Sequence, residues 1–138
     1  MEGLSPGGAG GGGRNGRAGG RGRQNRLTRP SDFRRVRRGG KSFAHPLAVL
    51  HLRSNGLTHT RFGVTTDRAL TGAVRRNRAK RRMREILRRL VPRMRRGFDV
   101  VVVARPPAVT VEFSLLDRAL RGLVERGGLW EGTNGNPH

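Results

Sequence analysis

The sequence predicts an α+β fold in which a few helices lie on a small mixed sheet. Three stretches carry that expectation. Phe98 to Ala104 reads FDVVVVA, a near-continuous β-branched run that suits a strand buried on both faces. Ala79, Met83, Ile86, Leu87 and Leu90 recur at steps of three and four, marking one buried face of a helix. Leu47 to Leu52 and Arg61 to Thr66 read as short strands, and SNGLTH (Ser54 to His59) between them is turn chemistry. An antiparallel pairing of those two strands is therefore expected.

Taken in order, residues 1–26 contain 11 of the 22 glycines together with Arg14, Arg17, Arg21, Arg23 and Arg26. A segment so poor in apolar side chains is expected to be a disordered extension. Its Gly/Arg spacing fits an RNA-binding tail and a merely solubilising one equally well. A folded domain is expected over 27–127. Pro30 suits the first turn of a helix, Ser31 and Asp32 complement its N-terminal dipole, and Gly39-Gly40 stops it. Leu27, Phe33 and Val36 should face the sheet. After the two strands, Thr71 and Gly72 lead into a basic helix that ends near Pro92. Pro106-Pro107 closes the valine strand. Thr110 is placed to cap a last helix, where Phe113, Leu116, Leu120, Leu123 and Val124 keep helical spacing up to Gly127-Gly128. Residues 128–138 read as a flexible tail.

Charge dominates the chain. With 30 basic and 9 acidic residues in 138, its formal net charge is +21, which points first to nucleic acid. The basic helix concentrates it. Arg75, Arg76, Arg78, Lys80, Arg81, Arg82, Arg84, Arg88 and Arg89 oppose the single acid Glu85, nine minus one, or +8. Arg78, Arg81, Arg84 and Arg88 should lie opposite the apolar stripe with Asn77 beside them, and Glu85 is within reach of Arg81 and Arg89. Guanidinium forks match phosphate oxygens, so a polyphosphate partner is expected for this helix.

Catalytic constellations are not visible. His45, His51, His59 and His138 are scattered, and each reads as a surface or partly buried structural histidine. The acids occur singly, without the pairing of a metal-dependent nuclease, and no Walker loop is present. With no cysteine there is neither a disulfide framework nor a thiolate metal site. No apolar run is long enough to span a bilayer, and no secretory signal opens the chain; membrane partners are not expected, and a cytoplasmic location is.

Several motifs together resemble one family. Gly72-Ala73-Val74, Arg76-Asn77-Arg78, Lys80-Arg81 and Arg84-Glu85 are similar to the "RNR" signature of the bacterial ribonuclease P protein component. Arg26-Leu27 with Asp32-Phe33, Val36 and Gly40-Lys41 resembles that family's opening helix. Phe62-Gly63-Val64 resembles its middle strand, and Asp99 with the valines into Ala104-Arg105-Pro106 its last. The likeness spans about residues 26–126.

The resemblance implies an α-β-β-β-α-β-α sandwich with a mixed sheet and a left-handed βαβ crossover, of the ribosomal protein S5 domain 2-like kind. It implies the non-catalytic protein subunit of ribonuclease P, the endoribonuclease that removes the 5′ leader of precursor tRNA. The RNA partner would hold Mg2+ and perform the hydrolysis, with one protein per catalytic RNA. Arg75, Arg76, Asn77, Arg78, Lys80, Arg81, Arg84 and Arg88 would meet the catalytic RNA. Phe33, Arg37, Lys41 and Arg68 would belong to the leader-binding cleft between the first helix and the sheet. The chain departs from the family pattern at Arg37 and Ala48, where aromatics are common. It departs again at Arg68-Ala69, which replaces a Lys-Lys pair, and at Thr71-Gly72, which replaces Gly-Asn. A structural RNA-binding protein of ribosomal type, with no part in cleavage, is the alternative. A DNA-compacting protein and a stand-alone nuclease fit less well.

Overall fold

The computed structural model describes residues 26–132. Its elements run α1 (Pro30–Gly39), β1 (Lys41–Ala44), β2 (Ala48–Ser54), β3 (Arg61–Thr66), α2 (Ala73–Leu90), β4 (Phe98–Ala104) and α3 (Phe113–Arg126). Short 3-10 turns, Val91–Arg93 and Pro106–Val109, flank β4. The expected α+β order is present, with Pro30 in the first turn of α1.

The four strands form a mixed sheet in the order β1-β2-β4-β3. The antiparallel pairing expected between β2 and β3 does not occur. β4 lies between them, antiparallel to β2 and parallel to β3. The valine run suits that inner place: Val100 and Val102 are covered in the main core, and Val101 and Val103 beneath α1 on the other face. The 55–60 connection instead passes the entry of β4, where the Asn55 amide donates to the Gly97 carbonyl at 2.9 Å.

Alternation along the strands divides the interior in two. Ala48, Leu50, Leu52, Phe62, Val64, Val100, Val102 and Ala104 join α2 and α3 in the main core. Val101 and Val103 face the other way and pack with Leu27 and Val36 beneath α1, flanked by Phe33 and Val49. Phe33 rests on Gly63: a Cβ at that glycine would stand 2.5 Å from the ring. A bare backbone there is what admits the aromatic ring.

Contacts with the sheet and its connections are made on both sides of the expected 27–127 span. Arg26 bridges Phe62, and the Leu27 amide donates to the Phe62 carbonyl at 2.7 Å, so Arg26 already joins the sheet. Residues 129 and 130 of the expected tail pack on the domain. Leu129 is fully buried, Trp130 bridges Met94, and the Arg93 guanidinium lies 5.9 Å from the Trp130 ring centroid. Residues 1–25 and 133–138, the rest of the two expected extensions, lie outside the described residues. Thr110 does not cap α3, because the 3-10 turn ends there and Glu112 holds the N-cap position.

A buried carboxylate fixes the loop end of the sheet. Asp99 accepts from Arg61 Nε at 2.9 Å, from Arg61 NH2 at 2.8 Å and from Asn55 Nδ2 at 2.8 Å. This bidentate bond is the main reason that the Arg61 pKa is raised. Asp99→Ala should cost about 3 kcal/mol, because it strands partners oriented for a buried charge. Urea unfolding, with Asp99→Asn as the milder comparison, measures it.

His51 lies half-buried on the α1 side of β2, opposite Ser42 and Val101, with Arg37 of α1 close by. Burial first, then the Arg37 charge, lowers its pKa below the ordinary histidine value. The unfolded chain therefore binds this proton more readily. Stability is complete above about pH 6.5 and falls as pH drops through that value towards the lowered folded pKa. Thermal melts of the free protein between pH 7.5 and 5 should show this loss, and His51→Gln should lessen it.

Candidate nucleic-acid interface

The interface is built on α2. Its apolar stripe of Ala79, Met83, Ile86, Leu87 and Leu90 is at most 1% exposed, so the helix cannot roll. That fixed stripe turns Asn77, Arg81 and Arg88 directly outward, at 100° per residue. Among the described residues, Arg75, Arg76, Asn77, Lys80 and Arg81 make no side-chain hydrogen bond or ion pair with the protein. Arg75, Arg76, Asn77 and Arg81 are exposed, and Lys80 is partly so.

The remaining predicted contacts divide by flank. On the β3 side, Arg84 is partly buried near Arg26, and burial followed by that like charge lowers its pKa. It remains a cation, as guanidinium does in proteins. On the α3 side, Arg78 donates through Nε to the Val109 carbonyl at 3.0 Å, which leaves the rest of its guanidinium exposed. Arg88 is held by Glu85 at 2.6 Å, and Arg89 binds the other oxygen of the same carboxylate at 2.8 Å. Glu85 thus takes Arg89, as its spacing suggests, but Arg88 in place of Arg81.

Arg82 has a separate role that spacing alone does not reveal. Its NH1 donates to the carbonyls of Ala108 at 2.7 Å and Val109 at 2.8 Å, and its NH2 donates to that of Val111. The guanidinium also lies 5.9 Å from the Phe113 ring centroid. These carbonyls lie at and just past the C-terminal end of the 3-10 turn, where unpaired carbonyl oxygens suit a cation. Arg82 therefore fastens α3 to the basic helix.

The expected leader cleft is only partly assembled. Phe33 and Arg37 stand on the α1 side of the sheet, and Arg68 is exposed in the turn after β3. Lys41 pairs with Leu52, and this register puts it on the α3 side, across the sheet from Phe33. Ala48 also faces the main core, fully buried, so an aromatic there would not line this cleft. The β2 residues that do face α1 are Val49, His51 and Arg53. Their alternation with Ala48, Leu50 and Leu52 was the signal available in sequence.

Comparison with known proteins agrees with this geometry. A family model described as Ribonuclease P matches residues 22–128. The ribonuclease P protein component of Herpetosiphon aurantiacus is 37% identical over 105 residues, covering 76% of this chain and 85% of its own. That of Symbiobacterium thermophilum is 45% identical over 98 residues, covering 70% and 85%. Among solved structures, the RNase P protein of Staphylococcus aureus superposes with a TM-score of 0.69 at 26% identity, covering 78% of this chain and 98% of that one. The RNase P protein from Thermotoga maritima gives 0.65 at 34% identity, covering 73% and 96%. Matched in sequence along most of its length and in fold, the chain belongs to the ribonuclease P protein family.

Proposed function

We propose that this protein docks on the catalytic RNA of ribonuclease P through the outward row of α2 and holds the 5′ leader of precursor tRNA against the α1 face of the sheet. The observation that carries the proposal is the set Arg75, Arg76, Asn77, Lys80 and Arg81, which has no side-chain hydrogen bond or ion pair among the described residues: Asn77 and Arg81 face away from the buried stripe, and Arg75 and Arg76 are exposed on the first turn of the helix. Cations held in this way meet a polyanion without first breaking internal bonds. Arg78 and Arg84 flank the row, and Arg88 joins it on exchanging Glu85 for phosphate.

On the α1 side, Phe33 and Arg37 with Val49 and His51 form a surface on which single-stranded RNA can lie, and Arg68 reaches it from the turn after β3. Arg37 replaces an aromatic wall by guanidinium stacking or a phosphate contact. Lys41 reaches RNA from the other side of the sheet edge. Among the described residues no three His, Asp or Glu side chains form a metal-binding group. The side chains of this surface contribute position and positive charge. Mg2+, carried by the RNA, would activate water and neutralise charge at the scissile phosphate. The protein brings two polyanions together and lowers the bulk Mg2+ they need. One protein per catalytic RNA and a cytoplasmic location complete the proposal. No helix among the described residues is long and apolar enough to cross a membrane.

The test is precursor-tRNA cleavage at low Mg2+ by the matching catalytic RNA. Cleavage at the mature 5′ end should require both components and should fall at least tenfold with Arg76→Ala/Arg81→Ala. Tight RNA binding that left the cleavage rate unchanged would make the protein a structural RNA binder instead.

A further inference from the structure

A second surface, apart from the α2 row and the α1 cleft, has the chemistry of a nucleotide. Along the outer flank of α3, where the helix meets the turn between β1 and β2, an open groove of about 420 Å³ is lined by Leu47, Val111, Leu115, Ala119 and Leu123. Arg118, Arg126 and His45 border it. Leu115 is 42% exposed beside it, unusual company on a surface this cationic.

The groove is preformed. Arg126 is held at its end by donating to the Ala44 carbonyl at 2.6 Å, with its guanidinium 5.7 Å from the Phe43 ring centroid. His45 Nδ1 accepts from the Leu47 amide at 3.0 Å, which puts the ring proton on Nε2 and leaves a donor there. Gly122, in the interior of α3, forms part of the lining, and a Cβ built on it meets nothing within 4 Å. No close packing requires that glycine, and its missing side chain opens the groove.

We infer that this groove takes one unpaired nucleotide of the catalytic RNA, its base against the leucines and its phosphate on Arg118 and Arg126. This rests on the docking role proposed for α2. An apolar floor between guanidiniums matches a flat base joined to an anion. Residues 133–138, TNGNPH, include no Leu, Ile, Val, Met, Phe, Tyr or Trp to fill such a floor. The catalytic RNA is favoured over the leader because α2 and α3 share one side of the sheet, while α1 and the leader surface occupy the other.

Gly122→Leu tests the inference by filling the groove. With full-length protein and the matching catalytic RNA, its affinity should drop five- to twentyfold, while Gly122→Ala should bind like wild type. Circular dichroism and melting confirm that both variants fold. A photo-crosslinking residue substituted for Leu115 should attach to a single unpaired nucleotide of that RNA. Wild-type affinity in Gly122→Leu overturns the inference, as does a crosslink confined to precursor tRNA or to a second protein copy. If Arg81→Ala weakens binding and Gly122→Leu does not, α2 docking stands and the groove falls. If neither weakens it, both fall together.

Discussion

A net charge of +8 on the eighteen residues of α2 works against the fold that contains it. Those cations repel one another, and nothing in the helix except Glu85 relieves them directly. What holds the helix is its other face. Five side chains are packed against the sheet and α3 with almost no exposure, and Arg82 spends its charge on the carbonyls ahead of α3. The charged row is thus a consequence of the buried stripe, and an RNA partner relieves the repulsion that the free protein must tolerate.

The sheet supplies the platform for this arrangement. Because β4 is central, its valines face both ways: towards α2 and α3 on one side and α1 on the other. One strand therefore connects the proposed docking helix with the proposed leader surface. The Asp99 pair with Arg61 and Asn55 fixes the end of β4 where the β2–β3 connection crosses. A polar pin at that point sets the register on which both surfaces depend.

Much of this was legible in the sequence, for identifiable reasons. The stripe of α2 and the valine run of β4 are strong periodic signals, and the motif around Asn77 placed the family. Strand order was hidden, because turn chemistry at Ser54 to His59 marks a reversal without naming the neighbour. Arg82 was hidden too: its spacing matches the other arginines, and only the carbonyls ahead of α3 set it apart. Lys41 was carried over by motif position, but the pleat puts it on the other side of the sheet. His51 and the ordered Trp130 became visible only through tertiary neighbours, the first beside Arg37 and the second against Met94 and Arg93.

The central claim is that arginines on one helix divide into those that bind RNA and those that hold the fold. The salt dependence of catalytic-RNA binding measures this division directly, in wild type, Arg81→Ala and Arg82→Ala. The slope of log affinity against log salt should shrink by roughly 0.7–0.9 for Arg81→Ala, the loss of about one phosphate contact. Arg82→Ala should keep the wild-type slope and lose about 2 kcal/mol of stability through its broken carbonyl contacts. Equal slopes in wild type and Arg81→Ala, or a reduced slope in a fully stable Arg82→Ala, would contradict the division.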